Sequence, residues 1–290
     1  LCVQELPGYR VLQVLGAGAT GEVYLVENHA QKRLEALKVL KPLESEEQYR
    51  IAQGRFKREV LASQRLAHQN IVPTYDCGRL PDGRLFLTMD YAAGTSLAAL
   101  LHQRGPLPIA KTLGILAEIA DALHHAHAAG VVHRDIKPAN IVLADHPKGN
   151  IVRVLDFGMA KILDASLEES IRLTADGAIF GTPQYMAPEQ CQGLPPDPRS
   201  DIYALGCVAY ELLVGEPPFR GKLAQIFAGH LGKPAPAPSA ADPDAGIPPA
   251  LDAVVQTCMA KPAAERFQTG GDVVAALQSV PGYRPLRSFS

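Results

Sequence analysis

His133-Arg134-Asp135-Ile136-Lys137-Pro138-Ala139-Asn140 packs a possible proton acceptor, two cations and a metal-capable amide into one short loop. It comes just after Gly130, which stops an apolar-periodic helix over residues 109–129. Asp156-Phe157-Gly158 follows the strand-like residues 151–155 and sets a second carboxylate on a tight turn. Asp135 is suited to accept a hydroxyl proton. Asn140 and Asp156 offer hard oxygens of the kind magnesium takes together with phosphate and water. A solvated charged loop explains either segment alone; it does not explain both in this order.

Working outward, Gly16-Ala17-Gly18-Ala19-Thr20-Gly21 is weak by itself, because G-x-G-x-x-G serves two different folds. A dinucleotide fingerprint needs a helix after the third glycine. Here Glu22-Val23-Tyr24-Leu25-Val26 follows, which reads as strand, so the glycines belong to a hairpin. Such a hairpin either bends over a phosphate chain or is a plain turn. Lys38, in Ala36-Leu37-Lys38-Val39-Leu40, points away from Leu37 and Val39 by strand alternation. It is suited to neutralise phosphate if a carboxylate steadies it, and Glu59 on the next helix is such a group. An exposed lysine and a surface glutamate are the commoner fate of these residue types.

The 290 residues, 47% hydrophobic and 20% charged, are those of an ordinary globular chain with enough apolar surface for a sizeable core. A formal net charge of -2 argues against a dedicated nucleic-acid binder. The five cysteines have no zinc-like or redox-like spacing, which implies reduced thiols and a cytoplasmic setting. No signal peptide or apolar run long enough for a membrane span is present; membrane association is expected only if an anchor lies outside this chain.

Residues 9–15, 23–26 and 34–40 read as strands, residues 44–65 as a helix, and residues 71–75 and 85–89 as two more strands about the Pro81-Asp82-Gly83 turn. Helices are expected over 202–214, 251–259 and 273–277. The Pro/Ala-rich residues 233–249 read as a long surface loop. A strand-rich first third before a helix-rich remainder implies an α+β, two-lobed chain with a hinge near residues 90–94.

Taken in order, Gly16-x-Gly18-x-x-Gly21-x-Val23, Ala36-Leu37-Lys38, Glu59, His133-Arg134-Asp135, Asn140, Asp156-Phe157-Gly158 and Ala187-Pro188-Glu189 resemble the eukaryotic-like (Hanks-type) serine/threonine protein kinases, bacterial branch. Asp201 and Arg266 complete the set. The resemblance covers residues 9–280 and implies a small antiparallel-sheet lobe over about 9–90, a hinge over about 90–94 and a larger helical lobe over about 95–280; residues 281–290 read as a tail or linker.

It implies ATP and magnesium as cofactors and the following roles. Lys38 contacts the α- and β-phosphates and pairs with Glu59. Residues Gly16, Ala17, Gly18, Ala19, Thr20, Gly21 and Glu22 cover the nucleotide, while Leu15, Val23, Ala36 and Val142 sandwich the adenine. Met89 is the gatekeeper, and Asp90, Tyr91 and Ala92 are the hinge. Asp135 takes the substrate proton, Lys137 steadies the γ-phosphate, and Asn140 and Asp156 hold the metal. Glu189 pairs with Arg266, and Asp201 braces the catalytic loop through backbone amides. Arg134 is expected to bind a phosphate on the activation loop, with Thr174 the best acceptor there. Thr182 resembles the threonine that hydrogen-bonds Asp135 and Lys137.

Two features depart from the pattern. Ser63 is small and polar where a bulky apolar residue is usual, and residues 164–174 are polar, acidic and without structural signal. The resemblance further implies protein substrates, self-association through the small lobe, and a cytoplasmic chain, free or attached to a membrane receptor. A pseudokinase scaffold is the main alternative, disfavoured by the intact Lys38, Asp135 and Asp156. A small-molecule kinase is another, disfavoured by the Ala187-Pro188-Glu189 platform.

Overall fold

The computed structural model describes residues 6, 8–18, 21–42, 46–146, 149–157 and 182–286, with the backbone alone described over 46–52. They divide into two compact units; His68–Ile71 belong to the second, and the chain passes to it again between Ala92 and Ala93.

The first unit is a five-stranded antiparallel sheet in the order β1-β2-β3-β5-β4, from β1 (Tyr9–Ala17), β2 (Gly21–Asn28), β3 (Arg33–Leu40), β4 (Thr74–Arg79) and β5 (Leu85–Asp90). Helix α1 (Glu46–Ser63) runs between β3 and β4. Strand β3 is central, pairing Val23 with Lys38 on one side and Lys38 with Leu87 on the other. Its alternation sends Leu37 and Val39 into a core with Leu6, Val26, Leu80 and Phe86. Ser63 does not open a gap: it is buried, and its hydroxyl donates to the Val60 carbonyl at 2.9 Å.

The expected strand over residues 71–75 is displaced. Ile71 and Val72 are buried, Ile71 forms only an isolated bridge to Val154, and Pro73 has no N–H for a ladder. The ladder starts at Thr74 and runs through polar, half-exposed residues that an apolar pattern passes over.

The second unit holds a small sheet, β6 (Gly94–Ser96), β7 (Ile141–Ala144) and β8 (Ile151–Val154), and most of the helices. Helix α2 (Leu97–Arg104), not expected from the sequence, is capped by Ser96, whose hydroxyl accepts from the Ala99 N–H, and ends at Gly105 with φ 70°. Helix α3 (Ile109–Ala128) is buried on nearly all sides and forms the axis of the unit. Helix α4 (Pro188–Cys191), α5 (Pro198–Val214) and α6 (Leu223–Gly232) follow.

The stretch 233–249 is not one loop: it contains the short α7 (Pro238–Ala241) and a single 3-10 turn, Pro243–Ala245. Each begins on proline, which is tolerated at the first helical position because that N–H has no partner anyway. Helices α8 (Pro249–Cys258) and α9 (Gly270–Gln278) complete the unit. Gly206 permits the contact between α5 and the end of α8, since a Cβ there would stand 2.7 Å from Cys258 and Met259. Beyond α9, Leu286 packs on Gly114 of α3.

Candidate active site

In the second unit, the residues quoted first from the sequence form one hydrogen-bonded cluster. The Lys137 ammonium donates to Asp135 Oδ2 at 2.7 Å. The Asn140 amide nitrogen donates to the same oxygen at 3.0 Å and to the Asp135 carbonyl at 2.8 Å. That use of both amide hydrogens orients Oδ1 as the atom Asn140 can offer to a cation. The backbone returns through a 3-10 turn, Pro138–Asn140, started by proline and closed where Leu155 N–H donates to the Asn140 carbonyl at 2.9 Å. That bond ties the loop directly to the segment that carries Asp156.

His133 is fully buried beneath this loop. Its Nδ1 accepts from the Asp135 N–H at 3.2 Å, so its Nε2 carries the hydrogen and donates to the Leu155 carbonyl at 2.7 Å. The ring meets Phe157 edge-on, with centroids 4.7 Å apart. His133 is therefore a strut and not a base.

Two non-glycine residues of the cluster have left-handed backbones, Arg134 at φ 71° and Asp156 at φ 62°. Such conformations persist only where the surroundings impose them. For Arg134 the constraint is visible. Asp201, 1% exposed on α5, accepts from the His133 N–H at 2.8 Å and the Arg134 N–H at 2.7 Å, one on each carboxylate oxygen. His127 Nε2 adds a third contact to Asp201 at 2.8 Å. The Gln190 side chain closes the arrangement from α4, donating to the Arg134 carbonyl at 3.1 Å and accepting from the Ala187 N–H at 3.0 Å.

Arg266 and Glu189 form a bidentate ion pair at 2.7 and 2.9 Å. The remaining guanidinium hydrogens reach the carbonyls of Ala260, Arg199 and Lys261. Ser200 donates to Glu189 Oε1 at 2.6 Å. Burial pushes the Glu189 carboxyl up, but the Arg266 and Ser200 hydrogen bonds outweigh it and hold the group below the ordinary carboxylate range.

In the first unit, Lys38 is 7% exposed, which removes the reading of an exposed strand lysine. Glu59 is half-buried on α1. Met89 is buried at the end of β5, and Asp90, Tyr91 and Ala92 follow it half-buried. Leu15 is 37% exposed, while Ala36 is buried. In the second unit Val142 is buried on β7.

The glycines separate into two kinds. Gly21 has φ 151°, and a Cβ there would stand 2.0 Å from the Val39 carbonyl oxygen, so its smallness is required by the sheet itself. Among the described residues, nothing lies within 4 Å of a Cβ at Gly16 or Gly18. Those residues give no packing reason for glycine at the two positions, which fits close approach by an outside group.

Thr182 precedes a single 3-10 turn, Pro183–Tyr185. Ala19, Thr20, Gly158, residues 164–174 and thus Thr174 lie outside the described residues. Spacing alone did not single out His127, Gln190 or the Tyr185 hydroxyl, which bonds Glu211 at 2.5 Å. Each acts through a partner far away in sequence. A histidine near the end of α3 and a glutamine next to Ala187-Pro188-Glu189 are the only local signals they leave.

Residues 9–269 match the protein kinase domain family. The chain belongs to that family. Similar proteins include the serine/threonine-protein kinase pkn3 of Myxococcus xanthus, 39% identical over 94% of this chain and 50% of its own length. The serine/threonine-protein kinase PknD of Mycobacterium tuberculosis is 42% identical over 92% of this chain and 39% of its own length. PknB of Mycolicibacterium smegmatis is 38% identical over 93% of this chain and 42% of its own length. The kinase domain here thus spans about half, or less, of the curated relatives it matches. Its two-lobed character, an antiparallel-sheet part before a helical part, is that of the family. Among the described residues, no helix is long and apolar enough to cross a membrane.

Proposed function

We propose that the chain transfers the γ-phosphate of ATP to serine and threonine hydroxyls of proteins, its own activation loop included. The observation that carries this reading is the convergence of Lys137 and Asn140 on Asp135 Oδ2, on a loop held from beneath by Asp201. Phosphoryl transfer asks for positioned charge more than covalent chemistry from the protein, and this cluster supplies it.

In the step, the substrate hydroxyl oxygen forms a bond to the γ-phosphorus while the bond from that phosphorus to the bridging oxygen of ADP breaks. The hydroxyl proton passes to Asp135. Lys137 balances the charge on the transferring group, and Lys38 that on the α- and β-phosphates. Asn140 and Asp156 would hold magnesium; their hard oxygen donors fit it, and when bound it neutralises phosphate charge. The open space at Gly16 and Gly18 supports close approach of the triphosphate to the β1–β2 turn.

A scaffold without turnover has no observation in its favour, since Lys38, Asp135 and Asp156 are all present. Exposed Leu12, Val14 and Leu34 support self-association through the sheet of the first unit. Thr174 is the proposed phosphate acceptor for Arg134, and mass spectrometry after incubation with ATP locates the modified residue.

The test is transfer of labelled phosphate from ATP to myelin basic protein by the wild type and by Asp156→Ala. We expect magnesium-dependent transfer by the wild type and none by the variant at unchanged melting temperature. A variant that melts early yet still transfers phosphate would reduce Asp156 to a turn residue.

A further inference from the structure

The second unit contains a buried polar chain that phosphoryl transfer does not use. Tyr203 on α5 and His230 on α6 are both 0% exposed. The Lys261 ammonium donates to the Tyr203 oxygen at 3.0 Å and to the Gly229 carbonyl at 3.1 Å. Tyr203 lies 2.9 Å from His230 Nδ1. Because lysine has only hydrogens to give, the tyrosine accepts from it and donates its own O–H to Nδ1. His230 is thereby fixed as the tautomer with hydrogen on Nε2.

That Nε2 is buried and, among the described residues, reaches no acceptor at normal hydrogen-bond geometry. The helix that carries His230 packs on the Pro183–Tyr185 turn, and the carbonyls of Pro183 and Gln184 pull the His230 pKa upward. The Gln184 side-chain oxygen is likewise buried without a partner. A buried donor without an acceptor is costly, so this arrangement has to be imposed by its surroundings.

The packing imposes it. His230 stands edge-on to Phe219 at 4.9 Å and to Tyr203 at 5.6 Å. Lys261 lies 4.6 Å over the Phe219 ring. Gly229 lets α6 come this close, since a Cβ there would be 2.6 Å from Phe219. Burial first, and Lys261 second, push the His230 pKa down to about 4, so the ring is neutral and keeps its one hydrogen on Nε2. Burial lowers Lys261 to about 8, and the nearby Arg266 charge acts in the same direction.

The Pro183–Tyr185 turn buries none of its own residues and cannot hold its shape alone. It is held to Glu211 through Tyr185 and packs against α6, the helix of His230. We propose that Lys261, Tyr203 and His230 form a hydrogen-bond chain that positions Pro183–Tyr185, and with it Thr182, for docking of the protein substrate. The identity of the docking group rests on the kinase reading; the support of the turn does not.

Three variants test this: Tyr203→Phe, which removes one oxygen, His230→Asn, and His230→Gln, whose amide nitrogen reaches the place of Nε2. The readouts are hydrogen exchange at the Tyr185 and Met186 amides, which bond the Thr182 and Pro183 carbonyls, and separate KM values for myelin basic protein and ATP. Loss of one such bond is expected to lower amide protection and raise the protein KM by about tenfold in Tyr203→Phe and His230→Asn. The ATP KM should stay within about twofold, and His230→Gln should keep the protein KM within about threefold of wild type.

Unchanged protection in folded Tyr203→Phe, or equal shifts in both KM values, overturns the proposal. If His230→Asn does not fold, Tyr203→Phe decides. Absence of phosphate transfer by the wild type would remove the kinase reading, and the exchange result would still decide whether the chain holds the turn.

Discussion

Replacing Arg266 with methionine keeps much of the side-chain volume and removes five hydrogen bonds. Two go to Glu189, whose side chain is 18% exposed and keeps only the Ser200 hydroxyl as a partner among those contacts. Removing one member of a buried ion pair costs about 3–5 kcal/mol, because the other charge remains without compensation. The carbonyls of Ala260, Arg199 and Lys261 each lose a donor as well, at up to about 1 kcal/mol apiece. Methionine returns part of this by apolar burial against Tyr203, so the net expectation is about 4–6 kcal/mol. Against a total stability of about 5–15 kcal/mol this is a large fraction, and the melting temperature should drop by about 10–20 °C.

The assay is urea unfolding followed by far-ultraviolet circular dichroism, since the chain has no tryptophan to report by fluorescence. Acid provides a second arm. In the wild type the Glu189 carboxyl sits below its ordinary 4.5, so its stabilisation is present above that value and is lost as pH falls through the folded pKa. In Arg266→Met burial is opposed only by the Ser200 hydroxyl and a backbone hydrogen bond, so this carboxyl rises, and mild acid neutralises it and narrows the gap between variant and wild type. A loss below about 1 kcal/mol at neutral pH, or a gap that widens on acidification, would refute the reasoning.

Asp135→Asn should leave nucleotide affinity nearly unchanged and lower turnover about 100-fold to 10,000-fold, as read by steady-state kinetics. Gly21→Ala should cost about 3 kcal/mol in chemical unfolding through strain and the clash with the Val39 carbonyl, while Gly16→Ala and Gly18→Ala leave stability within about 0.5 kcal/mol. His230 has its folded pKa lowered from 6.5 to about 4, so the unfolded chain binds the extra proton first. Stability should therefore decline by about 3 kcal/mol as pH falls from 6.5 to 4, and the part due to this residue should vanish in His230→Gln.

Much of the site is legible because its residues are close in sequence. Asp135, Lys137 and Asn140 fall within one turn-forming stretch, and Pro138 marks where the backbone must bend. Lys38 is legible through strand alternation, though its burial comes from being in the middle strand of five, a position that no local pattern encodes. The ion pair of Glu189 with Arg266 and the bracing by Asp201 were accessible only through family resemblance, since nothing local in a carboxylate names a partner dozens of residues away.

Helix α2 escaped because its eight residues are too few for a clear period, although Ser96 and Gly105 mark both its ends. The displaced β4 shows the reverse case. The apolar Ile71 and Val72 anchor the chain, and the polar residues after them form the ladder. In residues 233–249 proline was read as a breaker, whereas it also starts helices.

The bracing of His133 and Arg134 by Asp201 also bears on when the protein becomes competent during its synthesis. The proposed phosphate and metal side chains from Lys38 to Asp156 have all been made once Asp156 is added, yet the carboxylate that imposes the left-handed Arg134 backbone comes 67 residues after that arginine. At roughly 5–20 residues per second, ribosomal elongation separates the two by several seconds. A nascent or prematurely ended chain therefore contains the whole set of reactive groups without the shape that aligns them. The order of residues along the polypeptide thus places the brace after the groups it aligns, so those groups exist before anything holds the left-handed Arg134 backbone.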